Sequence, residues 1–263
     1  MNLFFLKALL RRQLMTTKQL DTLLKNKPDD NVRAEGYELA YKEDFNWTDI
    51  KQSDWTPGFV YPSDDYQPVH SYTNEEQAYV GGKNVETKDG KLVIKTLREK
   101  TTAPAWDPEK GMVMHPFEYT SDAINNASKL ELEAGCVVMV KARCHGFLNH
   151  GIYLRSKKHV PFISVFNYTG LKLFCGVKCN AYTDENKHEI EGLQPITDII
   201  YTVVWDQSTI TWFVNNVKVY QTLNLIPKGE KLYLHLYSFL FKGKRNNTPG
   251  SLDVDWIRVY KKL

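Results

Sequence analysis

The chain has 263 residues, 42% hydrophobic and 13% aromatic, with 34 basic against 31 acidic side chains. That content supports one large core plus a short appendage and excludes a disordered or membrane-spanning chain. The charge surplus is local: residues 1–27 hold six basic side chains and one acid, leaving 28 basic against 30 acidic beyond them, a body without the basic stripe that nucleic acid would need.

The first predicted element differs from everything after it. Leu3, Leu6, Leu10 and Leu14 recur at helical spacing, Thr16 and Gln19 form a capping box before Leu20, Leu23 and Leu24, and Pro28 ends the pattern. Residues 1–30 therefore read as a helical docking segment, with residues 1–27 offering a leucine-rich face to a protein partner. An intramolecular brace and a membrane-surface helix are the alternatives. Lys7 interrupts the apolar run and no small-residue cleavage site follows, so the segment makes a poor secretory signal. Location stays open, with a virion or an extracellular surface as the settings considered.

Residues 31–263 read as strands. Lys88-Asp89-Gly90 feeds an alternating run through Leu92, Ile94 and Thr96. The segment 136–144 alternates about Val138 and Val140. Residues 201–222 form strands joined at Asp206–Ser208 and at Asn215-Asn216, a pair suited to a tight hairpin. The last run sets Leu252, Val254 and Trp256 against Asp253, Asp255 and Ile257. Trp205, Trp212 and Trp256 are assigned to the core. Cys136 pairs in strand parity with Cys144, and Cys175 with Cys179; this spacing reads as free buried thiols rather than zinc ligands. A two-sheet antiparallel sandwich follows.

These pieces in this order resemble glycoside hydrolase family 16, the laminarinase and lichenase group of concanavalin A-like jelly rolls. The resemblance rests on YKEDFN (41–46), TNEEQAY (73–79) with its following Asp-Gly strand, YTSDAINNASKLELEAGCVVMVKARC (119–144), YTVVWDQSTITWFVNNVKVY (201–220) and LDVDWIRVY (252–260). It covers roughly residues 40–262 and implies an all-β, two-sheet antiparallel jelly roll behind a short N-terminal helical extension.

The departure is at FISVFNYTG (162–170). By register the family's Glu-x-Asp-x-x-Glu falls on Phe162, Ser164 and Asn167, with Val165-Phe166 as the one-residue bulge that the longer motif needs. Phe162 cannot attack an anomeric carbon, and Asn167 has no proton to transfer. His159 reads as a surface residue. Asp184, Glu185, Glu189 and Glu191 form a following acidic cluster, either a solvated loop or a set of displaced carboxylates. For glycan contact the resemblance offers Asn74, Glu76, Tyr153 and Asn167, and Trp106 reads as an exposed platform on a Pro-flanked loop. It also implies a structural calcium bridging the first and last strands through Glu43 or Asp44 and Asp255, against the plainer reading of Asp255 as a hydrogen-bonded strand residue.

The sequence therefore leans away from an enzyme. It favours a non-catalytic glycan-binding or structural module docked through its N-terminal helices, with a phage virion decoration or adhesion protein as one setting. The rival is an endo-glycosidase of β-linked glucan or galactan that uses displaced carboxylates. A purely structural sandwich is third.

Overall fold

The structure is a computed structural model and describes residues 36–61, 68–182, 184–241 and 249–263. The expected N-terminal helices and their partner-binding face lie outside the described residues. Among those described, the only helical turn is the 3-10 segment Ile50–Gln52, and no helix is long and apolar enough to cross a membrane.

In chain order the first ten strands are β1 (Tyr37–Glu43), β2 (Thr56–Pro57), β3 (Ser71–Tyr72), β4 (Gln77–Tyr79), β5 (Val85–Lys88), β6 (Lys91–Thr96), β7 (Thr101–Asp107), β8 (Gly111–Phe117), β9 (Tyr119–Ser121) and β10 (Ala123–Asn125). The remainder are β11 (Cys136–His145), β12 (Asn149–Arg155), β13 (Phe162–Thr169), β14 (Leu173–Lys178), β15 (Asn186–Glu189), β16 (Ile199–Trp205), β17 (Thr209–Val214), β18 (Val217–Leu223), β19 (Tyr233–Phe239) and β20 (Gly250–Lys262). One sheet has eight strands in the order β18-β17-β16-β11-β20-β6-β5, with β1 also on β20; the second has seven, β15-β14-β13-β12-β19-β10-β2. Both are antiparallel throughout, and the small pairings β3–β7 and β4–β9 are parallel.

The core lies between the two large sheets because each strand turns one set of alternate side chains inward. On β11 that set is Cys136, Val138, Val140, Ala142 and Cys144, which meets Ile152, Leu154, Ile163, Leu234 and Leu236 from the second sheet in one cluster. Cys136, Cys144 and Cys175 are buried free thiols and Cys179 is half-buried, as the strand parity suggests. Turn chemistry closes two hairpins as expected: Asp89 and Gly90 take φ of 53° and 72°, and Asn215 and Asn216 take 45° and 66°.

Two departures have local causes. The partner of Lys141 on β20 is Trp256 and that of Ala142 is Val254, so Asp255 is an extra residue at a bulge. Trp256 is thereby turned from the face of Leu252 and Val254 to the outer side, where it is buried with Val137, Met139 and Ile200 instead of joining Trp205 and Trp212 in the central core. Trp106 lies within strand β7, not on a loop; it pairs with Met112 across the β7–β8 hairpin and remains 40% exposed.

Candidate functional site

The site candidates meet on the outer face of the seven-stranded sheet. Register places them there: Phe162 lies opposite Arg155 and Lys178, Ser164 opposite Tyr153 and Gly176, and Asn167 opposite Gly151 and Phe174. The bulge sits at Val165-Phe166, since β13 spends three steps from Ser164 to Asn167 while β14 spends two. Val165 and Phe166 both enter the core, which returns Asn167 to the outer face. Trp212 Nε1, reaching from the opposite sheet, donates to the Ser164 carbonyl at 2.8 Å.

The floor of this face is aromatic. Tyr153 stacks on Tyr237 at 5.3 Å and 18°, meets Phe162 edge-on at 5.5 Å, and is only 7% exposed, so it is a floor residue rather than an open platform. Its ring lies over Gly151, where an added Cβ would come within 2.4 Å of Cε2. Tyr237 continues to Phe59 and Phe239, and Phe59 stacks on His235. Ser164 Oγ, which bears on the Tyr153 hydroxyl, and Asn167 Oδ1 are both enclosed beneath this face, and neither makes a well-formed hydrogen bond.

Five titratable groups lie in or beside the floor. Glu75 is buried; its Oε2 accepts from the Tyr72 backbone N–H at 2.9 Å, and burial pushes its carboxyl up to about 7. Burial also raises the Glu185 carboxyl, with Lys187 and Lys178 pulling the other way. Tyr237 feels both acids: burial lifts its hydroxyl to about 12, Arg155 lowers it, and Glu75 and Glu185 add to the rise. His235 and His159 are held neutral, near 3 and 4, by burial first and then by Arg155. His159 is not a free surface residue, since it bonds Arg155 through Nδ1 and meets the Tyr61 ring at 4.9 Å.

Of the sequence candidates, the structure brings Phe162, Ser164, Asn167 and Tyr153 together and leaves others apart. Asn74 is exposed and Glu76 half-buried; it is Glu75, one residue earlier, that is buried beside the Tyr72 backbone. Trp106 lies apart from that sheet, on strand β7 of the small three-stranded sheet, where it pairs with Tyr72. Within the acidic cluster, Asp184 and Glu191 are exposed and Glu189 is paired with Lys172 at 2.9 Å, leaving Glu185 beside the floor. Arg155, Tyr237 and His235 were missed, although strand parity with Tyr153 marks Arg155, two residues on, for the same face. The calcium donors do not suit the ion. Asp44 is bonded by Arg258 and Lys42, and Asp255 by Lys141 at 2.8 Å. Glu43 is occupied by Phe45 N at 2.7 Å and Trp55 Nε1 at 2.9 Å, and no cluster of three His, Cys, Asp or Glu able to hold a metal occurs among the described residues.

The two packed antiparallel sheets define a jelly-roll sandwich with an aromatic outer face. The chain has the fold of glycoside hydrolase family 16. Its structure matches the laminarinase catalytic domain of Thermotoga maritima MSB8 with a TM-score of 0.67 at 17% identity, over 87% of this chain and 100% of that one. It matches the endo-β-1,3-glucanase of Pyrococcus furiosus with a TM-score of 0.66 at 17% identity, over 86% and 95% of the respective chains. A non-specific endo-β-1,3(4)-glucanase of family 16 gives a TM-score of 0.70 at 19% identity, over 90% and 95%. In sequence, the chain is 26% identical over 273 aligned positions to glucan endo-1,3-beta-glucosidase A1 of Niallia circulans, covering 89% of this chain. It spans 39% of the length of that relative. No family model matches.

These relatives correct the lean away from an enzyme. They are named as glucan-cleaving proteins, and none of those described here is a virion or decoration protein. The same face has two acids, Glu75 and Glu185, near enough to its floor to bear on the Tyr237 hydroxyl.

Proposed function

We propose that the chain is an endo-acting glycosidase of a β-linked polysaccharide whose carboxyls have moved off β13. The carrying observation is Glu75, a buried acid at the edge of an aromatic floor that titrates near 7, so that it is partly protonated at neutral pH. In this reading the sugar chain lies on Tyr237 and Phe162, with Trp106 gripping one end. Glu75 gives its proton to the leaving glycosidic oxygen. Glu185 supplies the second carboxyl, and its separation from Glu75 across the bound sugar decides whether it attacks the anomeric carbon or activates water.

The relatives' names support a β-1,3-linked glucan as the first substrate to try. The test is reducing-sugar release from laminarin, lichenan, agarose and carrageenan by the intact chain, alongside Glu75→Gln and Glu185→Gln. Release that disappears in both variants is expected. Release unaffected by either substitution, or none from any of the four, would overturn the assignment.

A further inference from the structure

We infer that the outer face of the seven-stranded sheet holds a subsite for a negatively charged sugar substituent, a sulfate ester or a uronate carboxylate, centred on Arg155. The inference rests on the reading of this face as a polysaccharide site and names the chemistry of what binds there.

Arg155 ends β12 on the same face as Tyr153, opposite Phe162 and Tyr233. Its guanidinium stands 5.2 Å from the centre of the buried Phe59 ring and is bonded at one nitrogen by His159. No carboxylate pairs with it among the described residues. The contrast is with the other half-buried arginines: Arg143 bonds Asp253 at 3.1 Å, and Arg258 bonds Asp44. A partly desolvated guanidinium facing an aromatic ring regains some stability from the ring's quadrupole, but most of its donors still need an acceptor. The nearby histidines are neutral, and Glu75 is turned to the Tyr72 backbone, so neither supplies a compensating charge.

Two further cations share the face. Lys178 lies opposite Phe162, and Lys187 lies opposite Gly176 with its Nζ 4.0 Å from the Phe174 ring centre. Neither is within ion-pair distance of a carboxylate among the described residues, although both lie near enough to Glu185 to draw its carboxyl down. The face thus presents three cations along a floor of rings, with one planar fork among them. A sulfate or carboxylate group matches that fork with two parallel hydrogen bonds, whereas a neutral glucan leaves it unpaired.

The test is affinity, which needs no turnover: calorimetry of the full chain with carrageenan, alginate, laminarin and dextran sulfate at physiological salt. Carrageenan or alginate should bind about tenfold or more tighter than laminarin, as a charge-assisted pair implies. Preference for carrageenan alone assigns the sulfate ester, and for alginate alone the carboxylate. Arg155→Gln should bring the ratio to near one. Arg155→Lys keeps the charge and the packing stem but not the fork, and should retain only part of the preference, with thermal melting to verify that both variants are folded. The inference is overturned if laminarin binds as tightly as the acidic polymers, if Arg155→Gln keeps the preference, or if dextran sulfate binds as tightly as carrageenan, which would reduce the effect to bulk charge. Hydrolysis of laminarin together with equal affinities would sink this subsite and leave the glycosidase reading standing, while acid preference without sugar release would do the reverse.

Discussion

The two outer faces of the sandwich treat their central cations in different ways. On the eight-stranded sheet, Lys91 pairs with Asp198 at 2.8 Å, Lys95 with Glu86 at 2.6 Å, Lys141 with Asp255 at 2.8 Å, and Arg143 with Asp253, which also takes His145 and Ser251. On the seven-stranded sheet, Arg155, Lys178 and Lys187 stand among aromatic rings without a carboxylate bonded to any of them among the described residues. A face whose charges satisfy one another gains a modest, salt-sensitive stability and has little left for a ligand. A face that leaves donors, acceptors and ring surfaces open is less stable alone and gains most when something binds.

The largest test of that contrast is Glu75→Gln, which should lower sugar release about a hundredfold or more, the usual worth of a positioned proton donor, while polysaccharide affinity persists. Next is the frame beneath the face. Trp212→Ala should cost roughly 3–5 kcal/mol in chemical denaturation, because it empties a core site and frees the Ser164 carbonyl that the Trp212 ring holds at 2.8 Å.

The pH dependence of stability gives a third test. Glu75 is raised from 4.5 to about 7 in the fold, so between those values the folded chain binds more protons than the unfolded one and the contribution of this group to stability falls as pH rises. His235 and His159 act in the opposite sense. Their folded values, near 3 and 4, lie below the ordinary 6.5, so stability from these groups is lost as pH falls through that range. Subtracting the Glu75→Gln curve isolates the acid: the variant should gain on the parent from pH 4.5 to 7 by an amount on the order of 3 kcal/mol. A flat difference across that range would remove the case for a proton stored at Glu75.

Two smaller effects complete the comparison. Trp106→Ala should weaken polysaccharide binding by about tenfold or less, as for a single stacking ring, with stability unchanged within about 0.5 kcal/mol. Arg143→Gln, on the paired face, should cost about 1 kcal/mol of stability and leave polysaccharide affinity unaltered. A loss of affinity in Arg143→Gln would mean that the two faces are not functionally distinct.

Much of the fold was written in the chain at short range. Alternation on β11 and the Asp89-Gly90 and Asn215-Asn216 turns fix strand faces and hairpins through backbone preferences and period-two burial. The bulge at Val165-Phe166 was also legible, because a motif with one residue too many for its parity must accommodate the extra residue. The extra residue at Asp255 was not, since no local signal distinguishes it and only the pairing of β20 with β11 reveals that Trp256 changes sides.

The site divides in the same way. Local pattern is enough to put Phe162, Ser164 and Asn167 on one strand, and strand parity places Arg155 on the face of Tyr153. Packing in three dimensions sets the rest: Glu75 rather than Glu76 is buried, Glu185 alone of its cluster bears electrostatically on Tyr153 and Tyr237, and Arg155 lacks a carboxylate where Arg143 has one. The reason is physical: burial and charge pairing are set by neighbours far apart in the chain, which a period of two residues cannot encode.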